Sequence, residues 1–197
     1  MNKLCKNDVW ISGEIINSNA QFDHEEDGVD YYRLYVSVTR KSGIKDTIPV
    51  IFTDEVLSIK DNYKGCFINF QGNYISRDDG SKLVLQVLAK AAMFMPQKYY
   101  GDNYIEIEGF ICKNPKLRNT PLGRTIADVI IAVNDENDRA SYIPCIIWNE
   151  KAPWASRLAI GTKVFITGRV QSREYKKNGK NRIAYEVSAN TIDEVRE

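Results

Sequence analysis

The chain carries the same pattern twice, and no other feature constrains its fold as strongly. GCFINFQGNYISRDD at 65–79 returns as GTKVFITGRVQSREY at 161–175. Gly65 matches Gly161, Gly72 matches Gly168, and Ser76-Arg77 match Ser172-Arg173, each 96 residues on. Gly13 in VWISGEII and Gly109 in YIEIEGFI share that offset. DTIPVIF at 46–52 answers SYIPCII at 141–147, with Pro49 and Pro144 95 residues apart. A period this long is a whole domain rather than a solenoid unit. The expected organisation is an N-terminal domain over 1–95, a linker over 96–102 carrying Pro96 and Gly101, and a C-terminal domain over 103–197. At 197 residues each copy is large enough for a modest core of its own.

The pattern within each copy is that of strands. YYRLYVSV at 31–38 alternates, with Tyr32, Leu34, Val36 and Val38 on one face. Residues 46–52, 66–71 and 82–89 read as further strands, and Gly13 reads as a break or bulge in the first. The second copy repeats the order at 103–111, 125–133, 141–148, 162–170 and 182–190. Short helices are predicted over 54–62 and near 152–159. The expected fold is therefore all-β: two tandem five-stranded barrels, each with a short helix between strands 3 and 4. That is the order of the OB-fold.

Composition narrows the function. No apolar run is long enough to span a bilayer, and MNKLCKNDVW has no signal-peptide core, so the expected location is cytoplasmic with no membrane contact. Cys5, Cys66, Cys112 and Cys145 form no C-x-x-C pair, which argues against zinc, and reduced thiols suit the same compartment. His24, the only histidine, sits in FDHEEDGVD at 22–30, read as a polar loop rather than a metal site. There is no P-loop, nucleophile elbow or glycine-rich dinucleotide turn, so neither enzymatic chemistry nor a cofactor is expected.

Charge is nearly balanced overall at +1 but unevenly placed. Residues 1–95 carry 11 Lys/Arg against 13 Asp/Glu, and residues 101–197 carry 15 against 13. The second copy's cations gather in two stretches: Lys113, Lys116, Arg118 and Arg124, then Arg169, Arg173, Lys176, Lys177, Lys180 and Arg182. Such a stripe can follow a phosphate backbone; it can equally be a solvated hairpin.

GFICKNPKLRNTPLGRTIADVIIAVN at 109–134, SYIPCIIWNEKA at 141–152 and GTKVFITGRVQSREY at 161–175 resemble the bacterial single-stranded DNA-binding proteins. The first copy, through YYRLYVSVTRKSGIKDTIPVIF at 31–52, is similar to the N-terminal domain of two-barrel members from Firmicutes and their mobile elements. The resemblance implies a protein that coats single-stranded DNA in replication, recombination or repair. It implies base stacking on Tyr142, Trp148 and Tyr175, and phosphate contacts from Arg118, Arg124, Arg173, Lys176 and Lys177. Stacking on an aromatic is worth roughly 1–3 kcal/mol per base and ignores base identity. From alternation alone, Tyr142, Pro144, Ile146 and Trp148 share one face of a strand and Cys145 and Ile147 the other. Which of these faces is core stays open at this stage.

In the first copy the three aromatic positions become Thr47, Thr53 and Asp79, and its last hairpin is shorter. That copy is expected to serve assembly or auxiliary binding through Tyr31, Arg33, Tyr35, Arg40 and Lys41. Family members with one barrel per chain are typically tetramers, so the resemblance implies a homodimer with four barrels. Its expected route is pairing of first strands between chains, with packing of the two barrels within one chain as the alternative. The family's acidic tail, which recruits replication proteins, has no counterpart after TIDEVRE, so recruitment by a tail is not expected. A primosome-type interaction module and an RNA-binding OB protein are the other readings compatible with the pattern.

Overall fold

The computed structural model of the chain describes residues 5–78, 80, 83–96, 102–177 and 179–196, with the main chain only at Lys177. The expected linker lies largely outside them. Twelve strands carry the described fold. In the N-terminal half these are β1 (Asn7–Ile15), β2 (Gln21–Glu26), β3 (Val29–Thr39), β4 (Lys45–Phe52), β5 (Phe67–Asp78) and β6 (Leu83–Met95). In the C-terminal half they are β7 (Asn103–Ile111), β8 (Lys116–Asn119), β9 (Thr125–Asn134), β10 (Ala140–Trp148), β11 (Lys163–Lys177) and β12 (Lys180–Glu194).

Five strands of each half pair into a closed ring. β1 pairs with β3 and β5, β3 with β4, β4 with β6 in parallel, and β6 with β5. The C-terminal half repeats every pairing with β7, β9, β10, β12 and β11. Closure buries the inward residues of each strand. Leu34, Val36 and Val38 point into the N-terminal half, as do Val129, Ile131 and Val133 into the other. The buried apolar side chains of both halves form one contiguous cluster.

Two expectations need correction. The helix over 54–62 does not form; the segment is a series of turns. Asp54 Oδ1 accepts the Ile59 N–H at 2.8 Å, and Ser58 Oγ accepts the Lys60 N–H at 3.3 Å. These local side-chain acceptors displace the helical ladder. The C-terminal half has a 3-10 turn at Asn149–Lys151 and one α-turn, α1 (Ala152–Ala155), which begins where the helix near 152–159 was expected but ends short of it. The segment 22–30 is also no loop. It forms β2 and the start of β3, joined through Asp27 and Gly28, both at positive φ.

The glycines of the repeat stand where strands crowd. Register slips between Gln71 and Gly72 in β5, and between Thr167 and Gly168 in β11, where the partner strands carry the extra residues Lys90 and Asn190, so these two glycines stand opposite the bulges. A Cβ on Gly72 would overlap the Leu88 carbonyl oxygen, and one on Gly168 the Ser188 carbonyl oxygen. Gly13 is not a bulge: β1 runs through it, and its missing side chain admits Ser37 of β3.

The halves meet through β1 and β7, which pair antiparallel from Asn7↔Ile107 to Ile11↔Asn103. Val9 faces Ile105, its own counterpart in the repeat. The two halves are thus related by a pseudo-two-fold axis through that pair. The expected pairing of first strands between chains is not open to this molecule, because those edges are consumed within the chain. The short connection explains it, since a tethered partner reaches an edge before a separate chain does.

Gly168→Ala and Gly72→Ala should each destabilise the protein by about 1–3 kcal/mol through overpacking at the bulge. Gln71→Ala, exposed beside Gly72, should stay within about 0.5 kcal/mol of wild type. Urea unfolding followed by tryptophan fluorescence measures all three.

Candidate nucleic-acid interface

β10 decides which face of the C-terminal ring is open. Cys145 and Ile147 are buried in the core, while Tyr142, Pro144 and Trp148 are exposed or half-buried on the other side. Ile146 lies on the outer face with them and is covered at 6% exposure. The Cys145 thiol, enclosed by apolar neighbours, has its pKa raised far above the ordinary thiol value by burial, which marks it as inert packing.

Trp148 is aimed rather than loose. Its indole N–H donates to Ser188 Oγ at 3.0 Å across the β10–β12 parallel pairing. Ser188 pairs with Arg169 on β11, so Arg169, Gln171, Arg173 and Tyr175 follow along the same face at alternate positions. The Arg173 guanidinium lies 5.8 Å from the centre of the Tyr175 ring. Arg118 on β8 and Arg124 after it complete the border near Trp148. The open groove lined by Arg118, Arg124, Trp148, Arg169, Gln171 and Arg173 measures about 1340 Å³, above the range of about 300–1,000 Å³ typical of small-molecule pockets, and Tyr175 lines a neighbouring depression with Leu83 and Pro144.

Not every expected cation is free. Arg118 is held by Asp128, its Nε donating at 2.5 Å and its Nη2 at 3.0 Å. Arg173 lies 3.6 Å from Glu186, which also accepts from Gln171 Nε2 at 2.8 Å. These pairs orient the guanidiniums at the cost of neutralising part of their charge. Arg124 and Lys176 make no ion pair among the described residues, and Lys176 sits on the exposed β11 hairpin. The Lys177 side chain lies outside the described residues.

The matching face of the N-terminal half is built for something else. There a fully buried Asp23 accepts from Arg33 and, at 3.2 Å, from Arg77, with His24 Nδ1 2.6 Å away. The His24 ring stacks on Tyr31 with centroids 4.8 Å apart. Burial and the nearby Arg77 hold the His24 pKa below its usual value. Tyr35 and Arg33 lie near Tyr185 of the other half. So three of the side chains expected to give this half its own binding surface are engaged within the protein. Thr47 and Thr53 stand at the aromatic positions, and Asp79 lies outside the described residues. Among the described residues no group of three or more His, Cys, Asp or Glu is placed to hold a metal, and no helix is long and apolar enough to cross a membrane.

The model of the single-strand binding protein family matches residues 102–195. Single-stranded DNA-binding protein B of Bacillus subtilis is 34% identical over 98 residues, 46% of this chain and 87% of that protein. The chain belongs to the single-strand binding protein family. Single-stranded DNA-binding protein 2 of Listeria innocua is 33% identical over 98 residues, and there the chain spans 62% of the relative's length. The wild-type single-stranded DNA binding protein from Thermus aquaticus has the same fold, with a TM-score of 0.77 at 21% identity over 99% of this chain and 95% of that one. The likeness of fold thus takes in both halves.

Arg40 and Lys41, expected on an auxiliary surface of the N-terminal half, instead border this family member's groove. Gln171, Glu186 and Ser188, which sequence reasoning missed, shape its floor. No local pattern places these residues together, because the juxtaposition arises from how the halves meet.

Tyr185 provides a test of that meeting. Burial, and secondly its position beside Tyr35, push its pKa up to about 12 from 10.0. The folded state therefore holds the phenolic proton longer than the unfolded chain. Its stabilising effect is complete below pH 10 and is lost as pH rises toward 12. Tyr185→Phe should make the alkaline fall in urea midpoint shallower. It should not abolish the fall, because fully buried Tyr74 is raised as well.

Proposed function

We propose that the protein binds single-stranded DNA and coats it during replication, recombination or repair, without catalysing a reaction. Its two halves act as tandem OB-fold domains, 1–95 and 103–197, joined by a linker over 96–102. The observation that carries this reading is the groove itself. Trp148 lies in it with Arg118, Arg124, Arg169 and Arg173, while Tyr142 is exposed farther along the same side of β10 and Tyr175 continues the same side of β11. Unpaired bases expose flat faces for the rings while the phosphates meet the cations. A duplex hides those faces. Arg173 and Lys176 extend the cationic path along the β11 hairpin, and Lys177 adds a further positive charge to that run of sequence.

The proposed assembly is a homodimer through a different surface from the first-strand edges. The outer face of the sheet spanning both halves carries Trp10 and Tyr104, 5.8 Å apart, with exposed Met93 nearby in register. This apolar patch lies on the exposed side of the β1–β7 junction, where an isologous contact with a second copy would cover it. Light scattering should give a mass near twice 22.5 kDa. A monomeric mass that persists with oligo-dT bound contradicts the dimer.

Titration with oligo-dT tests the function. Affinity should fall as salt rises, with a slope of about −0.7 per phosphate contact, and duplex of equal length should bind far more weakly. Trp148→Ala, Tyr142→Ala and Tyr175→Ala should each cost roughly 1–3 kcal/mol of binding with the fold retained. Thr47→Ala and Thr53→Ala should change little. Equal affinity for duplex, or a Trp148→Ala protein that loses stability but not affinity, contradicts the proposal.

A further inference from the structure

We infer that the turn between β3 and β4 of the N-terminal half is one wall of the C-terminal groove, so that a strand bound at Trp148 is held by both halves. The inference rests on the proposed nucleic-acid reading.

The turn is built and anchored. Arg40 N–H donates to the Ile44 carbonyl at 2.7 Å and Gly43 N–H to the Arg40 carbonyl at 2.8 Å, with Gly43 at φ 83°. The Arg40 side chain then fixes the turn to the other half. Its Nε and Nη2 donate to both oxygens of fully buried Asp46, at 2.7 and 2.6 Å, and Nη2 also donates to the Ser172 carbonyl at 3.1 Å. Ser172 N–H returns a bond to Asp46 Oδ1 at 2.7 Å. The turn therefore lies against β11 and lines the same groove as Trp148, Arg124 and Arg169.

What the turn presents fits a strand of nucleic acid. Lys41 is exposed and makes no ion pair among the described residues. Ile44, 56% exposed, offers an apolar surface beside it. Arg169 stands half-buried with Arg40 close enough that their positive charges oppose each other. A phosphate passing between the two halves would relieve that crowding.

The pseudo-two-fold axis supplies an internal comparison. The turn at 135–139 has the same hydrogen-bond pattern, with Asp135 N–H to Arg139 at 3.0 Å and Asp138 N–H to Asp135 at 3.2 Å. It touches the N-terminal half through Arg139. There, however, Arg139 is tied to Glu26 at 2.6 Å, within a β2–β3 hairpin that also carries Glu25, Asp27 and Asp30. One junction is crowded with cations and the other is acidic and closed by an ion pair. Only the first suits phosphate.

The test is fluorescence titration with oligo-dT of graded length at several salt concentrations. Lys41→Glu should weaken binding of long oligo-dT several-fold and make the salt slope shallower by about 0.7. It should leave the shortest oligomers that still quench Trp148 unaffected, and an unchanged melting temperature would show that the fold survives. Arg139→Glu should not weaken binding. If Lys41→Glu leaves affinity and slope unchanged at every length while Trp148→Ala weakens binding, the inference is overturned and the groove reading stands. If the wild-type protein does not bind oligo-dT at all, both are overturned.

Discussion

The β1–β7 pairing is the contact on which the rest of the molecule depends. Each first strand closes its ring only at its C-terminal end, β1 at Glu14–Ile15 and β7 at Phe110–Ile111, which leaves its earlier residues an edge to cover. Here each covers the other, and Val9 meets its own counterpart Ile105. Around this axis the same polar bonds occur in pairs. Asn7 exchanges bonds with the Tyr74 main chain at 2.9 and 3.0 Å, and Asn103 with the Val170 main chain at 2.8 and 2.6 Å. Ser76 Oγ accepts the Tyr142 N–H at 2.7 Å, and Ser172 Oγ accepts the Thr47 N–H at 3.2 Å. The chain is in effect a dimer of its own halves, and each half lends its hairpin to the other's fourth strand.

A symmetric frame makes the asymmetry of its surfaces informative. At equivalent places on the outer faces the C-terminal half pairs Arg118 with Asp128, whereas the N-terminal half buries Asp23 under Arg33 and Arg77. Breaking a buried charge pair of that kind is costly, so these arginines are committed to structure. Arg118 and Arg173, at 45% and 53% exposure, remain within reach of solvent. The frame is shared, and the chemistry has been concentrated on one face.

Most of the strand order was legible in the sequence, because alternation and repeated glycines report directly on pleat and crowding. The core positions of β10 illustrate its limit. Alternation separated Cys145 and Ile147 from Tyr142 and Trp148, but only the closed ring shows that the cysteine side is interior. The helix over 54–62 failed because Asp54 and Ser58 serve local turns, a competition that an apolar pattern does not display. The strand at 21–26 was hidden because its polar run reads as loop, whereas its aspartate is paired with arginines 10 and 54 positions away. Arg40 and Lys41 entered the groove through an interface between halves that no local window contains.

On the proposed reading, this internally two-fold chain binds single strands on one face only. Photo-cross-linking to oligo-dT carrying iododeoxyuridine, with adducts mapped by mass spectrometry, tests it most directly. Adducts should fall on Tyr142, Trp148 and Tyr175, with none on Tyr31 or Tyr35. Equal adduct yields on Tyr31 or Tyr35 would contradict it.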